Sequence, residues 1–182
     1  MRNVIRTASA VFLAAIAFIL CSARPSSAVT VSIDPPDTTV ANGSSFYVRV
    51  IVDAVTDLRG FQLVYSYDSG SLQFLDFQPG GVLTSSPDGF QAFTLPDVTP
   101  PADSLAYDAV IFGAGGSGPG ILAFIHLKAG PSGDKPIGCV RVGFRDSHNQ
   151  ETLPTCVGGL VEIAGVTPVR RPTWGAIKVI YR

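Results

Sequence analysis

Ser45–Asp53 reads SFYVRVIVD. In an extended chain Phe46, Val48, Val50 and Val52 fall on one side, and Tyr47, Arg49, Ile51 and Asp53 on the other. An apolar residue at every second position is the pattern of a strand with one face on a core. Asn42-Gly43 just ahead of it supplies turn chemistry. The period persists outward from this stretch. In Leu58–Tyr67, Phe61, Leu63, Tyr65 and Tyr67 alternate with Gly60, Gln62, Val64 and Ser66. In Gly120–Ala129, Ile121, Ala123, Ile125 and Leu127 alternate with Leu122, Phe124, His126 and Lys128, and the apolar start of both faces predicts a central strand.

Six shorter segments complete the count: Val29–Ile33, Leu72–Phe77, Phe90–Leu95, Leu105–Phe112, Val140–Phe144 and Gly159–Ile163. Breaks rich in Gly, Pro and Asp separate them, among them Pro35-Pro36, Asp68-Ser69-Gly70, Pro79-Gly80-Gly81, Pro87-Asp88-Gly89 and Pro131-Ser132-Gly133-Asp134. About nine short strands with no helix before residue 172 predict an all-β sandwich or barrel.

The first 28 of the 182 residues are predicted to lie outside this fold. Arg2 and Arg6 precede the apolar run Val11–Leu20, and Ser26-Ser27-Ala28 offers small residues for cleavage, the order of a secretory signal peptide. Cleavage after Ala23 is the alternative. The run is about 10 residues, half of the roughly 20 that a membrane-spanning helix needs. Lipidation at Cys21 is disfavoured by the large Leu20 before it. A chain starting at Val29 loses Arg2, Arg6 and Arg24 and no acid, leaving 10 basic residues against 14 acidic ones, a net charge of −4. The one adjacent basic pair is Arg170-Arg171, so nothing attracts a phosphate backbone and nucleic acid is excluded as a partner. Cys139 and Cys156 remain, and an even pair in an exported chain predicts one disulfide, formed across the hairpin of Val140–Phe144 and Gly159–Ile163.

The order of these signals resembles the cohesin domain, within the superfamily that also holds cellulose-binding modules. The likeness runs from about Val31 to Ile163. It rests on Asn42-Gly43 before a Val-rich strand, Leu58-Arg59-Gly60-Phe61-Gln62-Leu63, Tyr65-Ser66-Tyr67-Asp68 followed by Leu72, then Gly120-Ile121-Leu122-Ala123-Phe124 and the closing Gly158-Gly159-Leu160-Val161-Glu162-Ile163. The resemblance implies a nine-stranded jelly-roll sandwich. It implies binding to a dockerin, a small calcium-loaded helical module, by a face that includes the outward residues of the strand ending in Tyr-Asp. Those residues are Gln62, Val64 and Ser66 here. Known cohesins often carry Asn and Asp at the positions of Gly60 and Gln62. Gln62 retains hydrogen-bonding capacity, whereas Gly60 offers no side chain.

Catalytic chemistry is not found. Gly113-Ala114-Gly115-Gly116-Ser117-Gly118 matches G-x-G-x-x-G, but Pro119-Gly120 and a strand follow where a phosphate-binding helix would be required, so it reads as a rim loop. His126 lacks a partner at metal-ligand spacing, and His148 sits in a predicted hairpin loop. Asp146, Asn149 and Glu151 are a weak candidate oxygen set for calcium, at a spacing unlike an EF-hand. There is no G-x-S-x-G elbow, and no acid pair stands out for glycoside hydrolysis. No cofactor is predicted.

Beyond residue 163, residues 164–172 read as a linker and Thr173–Arg182 (TWGAIKVIYR) as a short helix or a last edge strand. The sequence thus predicts a secreted, non-catalytic module that attaches a protein partner within a polysaccharide-degrading or cell-surface assembly. The alternatives are a carbohydrate-binding module, for which Tyr47 is a candidate outward aromatic, and a cell-surface structural or adhesive protein.

Overall fold

The computed structural model describes residues 29–96 and 103–165. The predicted leader and C-terminal tail lie outside the described residues, as does all but the first two residues of the predicted linker.

Among the described residues the chain forms twelve strands and one helical turn: β1 (Thr30–Asp34), β2 (Val40–Ala41), β3 (Ser45–Leu58), β4 (Gly60–Tyr67), β5 (Leu72–Pro79), α1 (Gly81–Thr84), β6 (Phe90–Pro96), β7 (Ser104–Ile111), β8 (Gly116–Ala129), β9 (Gly133–Arg145), β10 (Glu151–Thr152), β11 (Thr155–Val157) and β12 (Gly159–Ala164). One sheet has the order β11-β1-β3-β8-β5. The other runs β2-β12-β9-β4-β7-β6, with β10 paired to β9. Only β1 with β11 and β12 with β2 run parallel.

The fold is a β-sandwich, one of the two architectures the alternation predicts, with the jelly-roll form that the resemblance implies. Val48, Val50 and Val52 of β3, Ile125 and Leu127 of β8, Leu63 and Tyr65 of β4 and Phe144 of β9 meet between the sheets in one buried cluster. Each comes from the apolar phase of its strand, so burial selects the register. Tyr65 and Tyr67 point inward, as predicted, and stack on one another at 5.6 Å. Burial pushes the Tyr65 phenol well above its ordinary pKa.

Four details depart from the sequence reading. The nine predicted strands are all present, but β2, β10 and β11 add three, each of only two or three residues. Leu58 does not begin the fourth strand. It ends β3, and the chain turns at Asp57–Arg59 from one sheet into the other. Asp57 takes a φ of 54° at that corner. Its carboxylate accepts hydrogen bonds from the Ser147 amide at 3.2 Å and the Ser147 hydroxyl at 2.5 Å. Third, the glycine run is not simply a rim loop. Gly116–Gly120 opens β8, with Gly116 opposite Leu58 and Gly118 opposite Val55 across a bulged ladder. The reason lies above it, where α1 rests directly on this end of the strand. A Cβ on Gly116 would stand 2.6 Å from the Val82 carbonyl oxygen, and one on Gly120 would stand 2.9 Å from a Val82 methyl. Fourth, Cys139 and Cys156 are bonded, with Cα atoms 5.6 Å apart, but not across the predicted hairpin. Cys139 lies in β9 and Cys156 in β11, so the bond joins the two sheets.

Candidate partner-binding face

Strand β4 sits between β7 and β9, and its even-numbered residues face away from the core. Gly60 stands between Val110 and Arg145, Gln62 between Asp108 and Gly143, Val64 between Ala106 and Arg141, and Ser66 between Ser104 and Gly138. The three residues predicted for recognition are therefore on one outer surface, in the middle of the seven-stranded sheet.

They are not equivalent. Gln62 lies in a shallow depression of about 260 Å³, lined also by Gly60, Asp108, Val110, Gly143 and Arg145. Glycines at 60 and 143 lower the floor beside it. A Cβ at Gly60 would touch the Arg145 side chain at 3.3 Å, so the missing side chain makes room for that arginine. Arg145 in turn pairs with Glu151 at 3.5 Å. One carboxylate oxygen of Asp108 is buried without a hydrogen-bond partner. Val64 is only 2 % exposed, although it lies outside the core cluster. A central strand with Ala106 and Arg141 on either side leaves a Val little open surface. Val64 thus supports the face rather than offering contact area, a correction to its predicted role. Ser66 is partly exposed, close enough to the backbone at Gly138 that a Cβ there would stand 2.5 Å from the Ser66 hydroxyl.

The sequence reading missed the apolar share of this surface. On the edge strand β6, Phe90 and Ala92 pack on the core, so Phe93 and Leu95 face outward. Phe93 pairs with Asp108 and Leu95 with Ala106. Phe93, Leu95 and the adjoining Val110 of β7 are 50 %, 53 % and 47 % exposed. Alternation in FQAFTLP carries the signal, since both phases hold large apolar residues. Exposed apolar residues in a contiguous group mark interaction surfaces.

The predicted calcium ligands find other uses. Asp146 Oδ1 accepts from the amides of His148 and Gln150, closing the turn. The Asn149 side-chain oxygen accepts from Arg145 at 3.3 Å, and Glu151 holds the same guanidinium. No group of three metal-ligating His, Cys, Asp or Glu side chains occurs among the described residues. No helix among them is long and apolar enough to cross a membrane.

Two packed sheets with a polar, apolar-rimmed outer face define the molecule as a jelly-roll β-sandwich. The fold is cohesin-like. A cohesin of a type I cohesin–dockerin complex from Clostridium thermocellum superposes with a TM-score of 0.60 at 19 % identity, over 75 % of this chain and 99 % of that one. A type II cohesin domain from the cellulosome of Acetivibrio cellulolyticus gives 0.62 at 13 %, over 74 % and 95 %. A non-cellulosomal cohesin from the archaeon Archaeoglobus fulgidus gives 0.57 at 15 %, over 76 % and 93 %. No protein-family model and no curated protein matches the sequence.

Proposed function

We propose that this protein is an exported, non-catalytic cohesin-like module that binds a protein partner of dockerin type through the outer face of β4, β6 and β7. The observation that carries the reading is the group Phe93, Leu95 and Val110, exposed on the outer face beside the Gln62 depression. Exposed apolar side chains beside hydrogen-bonding groups combine the two kinds of surface that protein interfaces use. Several of the superposing cohesins are held in complexes with dockerins, which supports the partner class. Export rests on the leader-like Met1–Ala28 and suits an attachment role outside the cell.

The test is complex formation between residues 29–182 and a panel of calcium-loaded dockerin modules, followed by size-exclusion chromatography. Co-elution with at least one member supports the reading. Failure of every member to bind at micromolar concentration rejects a dockerin-type partner.

A further inference from the structure

On the other sheet, Tyr47 of β3 is directly opposite His126 of β8, and His126 is directly opposite Asp76 of β5. The Tyr47 hydroxyl accepts a 2.9 Å hydrogen bond from Gln78 Nε2. Gln78 belongs to β5, and β8 runs between β3 and β5, so the phenol reaches across a whole strand. Two strand spacings are roughly 9.5 Å. Only a side chain laid along the sheet makes that reach. His126 confirms the pose: its imidazole stacks on the Tyr47 ring at 4.3 Å with 14° between the planes. The Phe124 ring meets Tyr47 edge-on at 6.3 Å and 84°. His126 Nδ1 stands 3.2 Å from Asp76 Oδ1, and the His126 side chain is only 18 % exposed. Tyr47 itself is 42 % exposed. One ring face is covered by the imidazole, and the other is open to solvent.

We infer that this outer face of the five-stranded sheet is a carbohydrate-binding platform, with Tyr47 as the stacking residue for a pyranose ring of a neutral polysaccharide. An open aromatic face held flat by a hydrogen bond at one end and a stacked ring beneath has lost its rotamer freedom before any ligand arrives. A sugar with equatorial hydroxyls offers an apolar C–H face of matching shape. Its hydroxyls need polar partners at the rim of the ring. Asp76 and Gln78 supply them on β5, and the Arg49–Asp34 pair supplies both a donor and an acceptor two residues along β3, roughly 6.6 Å away. Polar groups already fixed by one another are the usual way a binding site orients a polar ligand. An anionic polysaccharide fits worse, because Asp34 and Asp76 bring two carboxylates to the rim. The site is on the sheet opposite to β4, so it does not depend on the partner-binding reading.

Affinity electrophoresis of residues 29–182 through gels containing β-glucan or xylan, with pectate as the charged comparison, tests the inference. The wild type is expected to be retarded by a neutral polysaccharide. Tyr47→Ala is expected to weaken that binding about tenfold, a loss equal to one good aromatic contact. Tyr47→Phe keeps the ring and guards against a folding artefact, so its loss is expected to be smaller; Leu160→Ala, at an exposed position of β12 on the other sheet, should change nothing. Absence of retardation by both neutral polysaccharides overturns the inference. So does stronger retardation by pectate, or equal retardation of wild type and Tyr47→Ala.

Discussion

Cys139 and Cys156 stand with their Cα atoms 5.6 Å apart, one on β9 and one on β11, and bond the seven-stranded sheet to the five-stranded one. Strand β11 is three residues long and pairs only with β1. The disulfide therefore adds a covalent link between the sheets at a short strand, next to the point where the chain passes from β11 to β12. Closing a loop of 17 residues stabilises by roughly 3 kcal/mol in the chain-entropy model. Cys139→Ser with Cys156→Ser is expected to lower the melting temperature by roughly 10 °C. A scan showing no change in the double variant contradicts this role.

The corner at Asp57 gives a pH dependence. Hydrogen bonds from the Ser147 hydroxyl and amide hold the Asp57 carboxyl below the usual carboxylate range. The Thr30 amide does the same for Asp53, and the Ser71 hydroxyl for Asp68. A lowered folded pKa means the unfolded chain binds protons first as pH falls. The stabilisation is present above about pH 4 and is lost as pH drops through the folded values. Melting temperatures measured from pH 7 to pH 2 should fall steadily below pH 4. In Asp57→Asn the fall should be shallower, because Asn tolerates the positive φ but does not titrate.

Crowding beneath α1 gives a third expectation. Gly116→Ala places a methyl 2.6 Å from the Val82 carbonyl oxygen, and backbone must move to admit it. The expected loss is about 2 kcal/mol by urea unfolding. A neutral substitution means that α1 is not seated on β8 as described.

Val64 separates stability from recognition. Val64→Asp buries a carboxylate at a position 2 % exposed and should cost about 3 kcal/mol or more. Gln62→Ala leaves stability within about 0.5 kcal/mol, since Gln62 is partly open to solvent. Equal urea midpoints for the two variants rule out the placement of Val64 under its neighbours.

Much of this fold is legible in the sequence because alternation reports burial one strand at a time. SFYVRVIVD shows it most clearly, and Val48, Val50 and Val52 are buried as its phase predicts. Elements of two or three residues, such as Glu151–Thr152 and Thr155–Val157, are too short to display a period. Glycines display none at any length, so a strand under a helix reads as a loop at Gly116–Gly120. Burial on an outer face depends on the flanking strands, which is why Val64 reads as exposed. Tyr47 reads as outward, but Gln78, which fixes its ring, is 31 residues away and no local pattern links them. The same holds for the inter-sheet disulfide: composition predicts the pair, and only topology shows which layers it joins.

A protein partner held by the β4–β6–β7 face meets Phe93, the most exposed aromatic side chain there. Isothermal titration with the dockerin module that binds the wild type tests it directly, using Phe93→Asp against Tyr47→Asp on the opposite sheet. The account predicts at least about a tenfold loss of affinity for Phe93→Asp, as for an aromatic interface anchor, and wild-type affinity for Tyr47→Asp. Wild-type affinity in Phe93→Asp, or loss confined to Tyr47→Asp, contradicts it.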